Sequence, residues 1–181
     1  MSRITPQSAG ARCGGCPFAK AGKPDRPVLA VGSPRPVAVV IAESPGSEEV
    51  ERGEPLVGPT GREFDAVLES AGLPRNHLLI LNALCCRPKQ SRSEKDMHDA
   101  VSACRPYVAA VLDTVHDSTP MLIAGKWAFV SITGRTKGHG NERGFIQKDI
   151  RPSTARRTEA AGKSSAGGTV PEGDDSDDGG D

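Results

Sequence analysis

Five cysteines stand in this 181-residue chain, and four of them form two half-sites. Cys13-Gly-Gly-Cys16 is a pair spaced by two residues, and Cys86 and Cys104 are separated by 17. The Gly-Gly frees the backbone to bend around a metal, and Pro17 stiffens the exit. A thiolate quartet of this kind fits a structural zinc or a four-iron cluster, and spacing alone does not choose between them. The competing reading is a set of buried cysteines that share no ligand. Cys85, adjacent to Cys86, must project differently and reads as the spare.

A second group of chemistry-bearing residues lies where apolar runs end. Glu43-Ser-Pro-Gly46 follows one run, Asn82 ends another, and Gly125 follows a third. In parallel α/β sheets, ligands bind at the carboxyl ends of strands. The stretch Gly53-Glu-Pro-Leu-Val-Gly58-Pro-Thr-Gly61 would let backbone approach a ligand closely and feeds a helix start suited to a phosphate. Taken alone it reads equally as a surface loop, and without Gly-Lys-Ser/Thr it is no P-loop.

The elements that must position these residues follow from hydrophobic periodicity. Val37 to Ala42 is continuous, apolar and β-branched and Leu78 to Leu84 is apolar but for Asn82, as in strands covered on both faces, and Met121 to Ala124 is a shorter one. Thr60 with Glu63 resembles a capping box for a helix through Phe64, Val67, Leu68 and Ala71, stopped by Gly72. Ser93 with Asp96 caps a second helix, whose Met97, Val101, Cys104, Val108, Val111, Leu112 and Val115 keep the 3.6-residue period. A third runs from Gly125 through Trp127 and Ile132 to Gly134. Strand and helix alternating three times predict an α/β fold: a three-layer α/β/α sandwich with a short parallel sheet and right-handed crossovers. Residues 144–150 offer one more short strand.

Charge and composition bound the rest. The chain carries 23 Lys+Arg against 23 Asp+Glu, yet residues 151–181 hold seven acids and four bases, so residues 1–150 carry a charge of +3. A mildly basic body with an acidic tail permits a polyanionic partner without demanding one. Residues 162–181 contain six Gly and three Ser and almost nothing to bury. The expected layout is a flexible N-terminus over 1–12 unless the cysteines tie it down, one domain over 13–150, and a disordered acidic tail over 151–181. No run reaches the roughly 18 to 20 apolar residues that span a bilayer, and the N-terminus lacks the apolar core of a signal peptide. A cytoplasmic protein with no membrane partner is expected, in which five cysteines point to ligation or catalysis before disulfides. With only six aromatic residues, the core must rely on Val, Leu, Ile and Ala.

Four blocks in order now carry a resemblance: Ala42-Glu43-Ser-Pro-Gly46 through Gly53-Glu-Pro-Leu-Val-Gly58-Pro-Thr-Gly61; Leu81-Asn82-Ala-Leu-Cys-Cys86-Arg-Pro88; Ala103-Cys104-Arg-Pro-Tyr107; and Ile123-Ala-Gly-Lys126. Over about residues 10–145 the chain resembles the iron-sulfur uracil-DNA glycosylases of family 4, the four-cysteine pattern being its most specific part. The resemblance implies a C-terminally shortened uracil-DNA glycosylase-like fold and an enzyme that hydrolyses the N-glycosidic bond of uracil in DNA, in base excision repair. It implies Cys13, Cys16, Cys86 and Cys104 as ligands of a structural [4Fe-4S] cluster, and Asn82 as the grip on the uracil edge, where an amide offers both a donor and an acceptor. Glu43 would orient water or the loop, and Ser44, Pro45, Gly46 and Leu56 would line the base site. Arg87, Lys89 and Arg92 would contact phosphates, alongside Lys95. The partner would be uracil-containing DNA, bound by a monomer.

Three departures accompany the resemblance. Leu56 stands where the family usually has a phenylalanine that stacks on the flipped base, a contact worth about 1–3 kcal/mol per base. Ala42 and Ser44 replace the usual glycine and small residue. The family's His-Pro-Ser motif, whose histidine donates to the developing oxyanion, does not occur; its nearest echo is Arg151-Pro152-Ser153, which makes Arg151 the substitute candidate, with His139 as another. Three functions therefore compete: a glycosylase with weakened catalysis, a catalytically inactive iron-sulfur DNA-binding accessory module of the same fold, and a zinc-stabilised α/β domain with a nucleotide ligand.

Overall fold

The fold is seen in a computed structural model, which describes residues 4–20, 25–88, 93–135 and 146–147. The apolar runs form strands as expected: β2 (Ala38–Ala42), β3 (Leu78–Asn82) and β4 (Met121–Ile123) lie side by side in parallel, with β2 central. Two short strands flank them antiparallel, β1 (Val31–Gly32) on β3 and β5 (Ile146–Gln147) on β4, giving the order β1-β3-β2-β4-β5. The sheet is therefore mixed at its edges rather than wholly parallel. No hydrophobic period announces a two-residue edge strand, and β1 was not foreseen. Of the strand expected over 144–150, only 146–147 lies among the described residues.

Strand alternation sorts the core into two faces. Val39, Ile41, Leu79, Leu81 and Met121 point to one side, where they meet Tyr107, Val108, Val111 and Leu112 of α4 (Glu94–Leu112) and Ala128 and Ile132 of α5 (Lys126–Thr133). Val40, Leu78 and Ile80 point to the other side and meet Leu68 and Phe64 of α3 (Pro59–Ser70). Helices thus cover both faces, and the three-layer sandwich stands. Among the described residues no helix is long and apolar enough to cross a membrane.

Local starts and stops differ in one respect from the capping signals. Ser93 accepts from the Asp96 N–H at 3.0 Å and caps α4 as expected. The Thr60/Glu63 box does not form, because α3 starts earlier, with Gly58 as its N-cap and Pro59 in its first turn. Proline is preorganised for that position and gives up no needed N–H. The supposed loop from Glu43 to Pro59 also contains a six-residue helix, α2 (Ser47–Arg52), closed by Gly53.

Residues 4–12, expected to be flexible unless tied down, are packed. Ile4, Ala9 and Ala11 lie against the α4-side core, and the Arg12 N–H donates to Ala103 O of α4 at 3.0 Å. A 3-10 turn (Cys13–Gly15) and α1 (Pro17–Lys20) then fold onto α4, where Cys16, Phe18 and Ala19 join Leu84, Met97, Val101 and Cys104. The tail over 151–181 lies outside the described residues.

Candidate active site and cysteine cavity

The carboxyl ends of the three parallel strands bring Glu43, Asn82 and Gly125 to one edge of the sheet. Ala42 and Asn82 are register partners, and the Leu84 N–H donates to Glu43 O at 3.0 Å, so β2 and β3 end together. The Ala124 N–H donates to Ile41 O at 2.8 Å and brings the end of β4 alongside. Glu43 reaches across: its Oε1 accepts from the Trp127 N–H at 2.9 Å, in the first turn of α5. A carboxylate on a helix N-terminus is favoured by the free N–H groups there. Gly125 makes room for it, since φ is +102° and a Cβ at that position would lie 2.5 Å from Glu43 Oε1.

Asn82 is 3% exposed, and its Nδ2 is the buried side-chain nitrogen or oxygen left without a hydrogen-bond partner among the described residues. Leaving an amide donor buried and unpaired costs folding about 1–3 kcal/mol. That donor lies at the strand ends where α/β folds bind ligands, and a carbonyl oxygen is the chemistry that would satisfy it.

The loop residues fall on both sides of α2. Ser44 and Gly46 are half-buried and Pro45 is buried. Leu56 is half-buried, leans on the Val40, Leu68, Leu78 and Ile80 core, and is the one non-glycine residue among those described with positive φ, +52°. Two residues that sequence reasoning left without a role hold this loop. Glu49 accepts from the Gly46, Val57 and Gly58 N–H groups, and Arg75 Nη2 donates to Pro55 O at 2.7 Å and Leu56 O at 2.8 Å. Burial pushes the Glu49 carboxyl up, but the backbone donors, Gly58 foremost, outweigh it and hold the group below its ordinary value of 4.5. The position of Glu49 three residues after Gly46 was a readable capping signal; nothing in sequence links Arg75 to carbonyls 19 and 20 residues away.

Cys13, Cys16, Cys86 and Cys104 line one cavity of ≈ 90 Å³, otherwise largely apolar, and Cys85 lines it too. The thiols sense one another. Burial pushes Cys86 up to about 12, with the charges of Cys104, Cys13 and Cys16 adding to it, and burial followed by Cys104 and Cys16 raises Cys13. Cys104 falls to about 7 because Cys85 hydrogen-bonds to it, so the spare cysteine is in contact with the quartet. Thiolates crowded in an apolar cavity require a cationic ligand to be stable together. Among the described residues no three His, Cys, Asp or Glu side chains converge closely enough to grip a single ion. A tetrahedral zinc with Zn–S of about 2.3 Å would draw its sulfurs to about 3.8 Å from one another. The four thiols of the two half-sites thus border one cavity among the described residues without forming that tight shell.

Of the basic candidates, Arg87 is exposed on the connection after β3. Lys89, Arg92, Arg151 and His139 lie outside the described residues.

Sequence comparison agrees with this geometry. The family model described as "Uracil DNA glycosylase superfamily" matches residues 29–164. The "Type-4 uracil-DNA glycosylase" of Archaeoglobus fulgidus is 32% identical over 101 residues, 56% of this chain and 49% of that protein. Its counterpart in Sulfurisphaera tokodaii is 32% identical over 85 residues, 46% of this chain and 38% of that protein. That of Thermotoga maritima is 27% identical over 107 residues, 57% of this chain and 55% of that protein. The chain spans about half the length of the curated relatives it matches. With the family match extending over most of its length and the strand-end site in place, the chain belongs to the uracil DNA glycosylase superfamily.

Proposed function

We propose that this protein is a uracil-DNA glycosylase of the iron-sulfur type, releasing uracil from DNA by hydrolysis of the N-glycosidic bond. The observation that carries the reading is the buried Nδ2 of Asn82 at the end of β3, without a hydrogen-bond partner among the described residues. The uracil edge offers a carbonyl to accept from that donor and an N3–H to donate to the same side chain's oxygen, a pairing no hydrocarbon or cation would satisfy. Reaching it requires the nucleotide to be flipped out of the stack.

In the reaction, water adds to C1′ as the bond from C1′ to N1 breaks. The bonding pair leaves with the base, and a proton from water completes free uracil. Glu43, whose carboxylate is anchored at the α5 N-terminus, would orient that water or the loop around it. Ser44, Pro45, Gly46 and Leu56 supply the walls of the base site. The charge developing on uracil is stabilised by Asn82 and, in this proposal, by the guanidinium of Arg151 in place of the family's histidine. With Leu56 offering an apolar surface without aromatic stacking, catalysis is weaker than a full motif set would give.

Cys13, Cys16, Cys86 and Cys104 would hold a [4Fe-4S] cluster, whose part is structural: it would pin the N-terminal segment to α4 beside the DNA-facing connection. Arg87, Lys89 and Arg92 of that connection are proposed phosphate contacts. We place the protein in the cytoplasm as a monomer acting in base excision repair. The test is uracil release from single- and double-stranded uracil-containing DNA by iron-loaded protein, with Asn82→Ala as the control. Release by the wild-type chain that Asn82→Ala abolishes is expected. DNA binding equal for normal and uracil-bearing strands, with no release, would favour the inactive binding module.

A further inference from the structure

The two loop segments placed at the base site, Ser44 to Gly46 and Leu56 to Gly58, are bridged by one side chain. Glu49 Oε2 accepts from the Gly46 N–H at 2.9 Å, and its Oε1 accepts from the Val57 N–H at 3.0 Å and the Gly58 N–H at 2.7 Å. Glu49 is the third residue of α2 and 9% exposed, so water does not compete effectively for these donors. Charge-assisted bonds of this kind are about twice as strong as neutral ones.

Leu56 sits between this carboxylate and Arg75, whose Nη2 holds the Pro55 and Leu56 carbonyls and whose Nη1 donates to Asp65 Oδ1 at 2.5 Å. Its φ of +52° is one that a side chain with a Cβ adopts only where the surroundings over-determine it, and such residues cluster at ligand sites. Gly61 completes the hold, because a Cβ there would lie 2.0 Å from Leu56 O. A plain surface loop needs neither a buried carboxylate with three backbone donors nor a strained leucine locked on both sides.

Building on the reading of Asn82 as the grip on the base, we propose that Glu49 is a positioning residue for base excision, its carboxylate fastening the Ser44–Gly46 loop to the Leu56–Gly58 loop so that both walls of the base site are held in register. Glu49 itself touches neither substrate nor water in the reaction.

Glu49→Gln tests this, because the amide keeps the shape but exchanges one acceptor oxygen for an NH2 that cannot accept, freeing one of the two loops. Amide exchange at Gly46, Val57 and Gly58 is followed together with steady-state uracil release. The expected result is loss of protection at Gly46 or at Val57 and Gly58 by tenfold or more, kcat lowered about 10- to 100-fold, and KM for DNA within about threefold, as misplacement of a reacting geometry produces. Core amides of β3 should stay as protected as in the wild type. Unchanged protection at all three amides, or a kcat indistinguishable from wild type, overturns the proposal. Equal loss of protection in the loops and in β3 overturns it as well, since the role would then be general stability. Should Glu49→Gln fail to accumulate folded, the wild-type chain decides: protection at Val57 and Gly58 must fall relative to β3 amides as the carboxylate is protonated by acid, and protection that tracks β3 refutes the clasp. Wild-type protein that releases no uracil defeats the glycosylase reading, while the exchange data still judge the clasp.

Discussion

At the residue scale, Asn82 is a side chain that costs stability where it stands. Its Nδ2 is buried without a partner among the described residues, and a group kept under that penalty serves something other than folding. Asn82→Leu, close in volume and without the donor, should leave Tm unchanged or raise it by a few degrees while uracil release falls by at least 100-fold. A Tm lowered by several degrees, read by calorimetry, would show that the amide is satisfied in the fold. Glu49 gives the pH prediction. Its folded pKa lies below the ordinary 4.5, so its contribution to stability is fully present above that value and is lost as pH falls through the lower folded pKa. Acid titration of Glu49→Ala should therefore show a shallower loss of stability than the wild type below the ordinary glutamate range; superimposable curves would contradict the assignment. Asn82 and Glu43 were legible in the sequence because apolar runs end on them, and α/β folds place ligands at such ends. Arg75 was not, nor were the bonds of Glu49 beyond its capping spacing to Gly46, because those partners are fixed only once α2 folds the loop back, and no periodicity records a side chain reaching a backbone group 8 to 20 residues away.

At the element scale, the N-terminal segment is held by few elements of its own: a 3-10 turn and the four-residue α1, docked on α4 through Cys16, Phe18 and Ala19. Its attachment should depend on the group the four cysteines would share. Removing iron by chelation, or Cys86→Ser, should open residues 4–20 to limited proteolysis while α3 and the sheet stay resistant; equal protection with and without iron would mean that apolar packing alone holds the segment. The sequence showed that these cysteines could pair but not that residues 4–12 would pack, since Ile4, Ala9 and Ala11 form no periodic pattern and their partners, like the Ala103 carbonyl that Arg12 meets, are far away in sequence. It also overstated the Thr60/Glu63 box, because the start of α3 is set by Pro59 and by Gly58, whose N–H the distant Glu49 holds. Strong periodicity, as in α4, located its helix; weak local signals lost to tertiary contacts.

At the scale of the whole molecule, the sheet is the frame on which the site depends. Leu81 is fully buried beneath α4 and lies one residue before Asn82. Leu81→Ala should cost about 2–5 kcal/mol in denaturant unfolding, as core truncations of this kind do, and a cost under about 1 kcal/mol would place Leu81 outside the packed core. The molecule's charge bears on its partner: residues 1–150 carry +3 and residues 151–181 carry −3. Arg87, exposed on the connection after β3, should add about one unit to the dependence of log affinity on log salt, so Arg87→Ala should flatten that slope by about 1 on duplex DNA and weaken all sequences alike. An unchanged slope would remove Arg87 from the DNA-facing surface. The layer order and the parallel centre of the sheet were readable because buried strands and amphipathic helices repeat their pattern; the antiparallel edges were not, because two residues carry no period.

On the function proposed above, the end of β3 holds uracil for excision. The most direct measurement is release of free uracil from uracil-containing single- and double-stranded DNA by protein prepared without oxygen and shown to carry iron and sulfide, wild type beside Asn82→Ala. Release by the wild-type chain is expected, with at least a 100-fold loss in the variant. Iron-loaded protein that releases no uracil from either substrate, or an Asn82→Ala variant as active as the wild type, would contradict it.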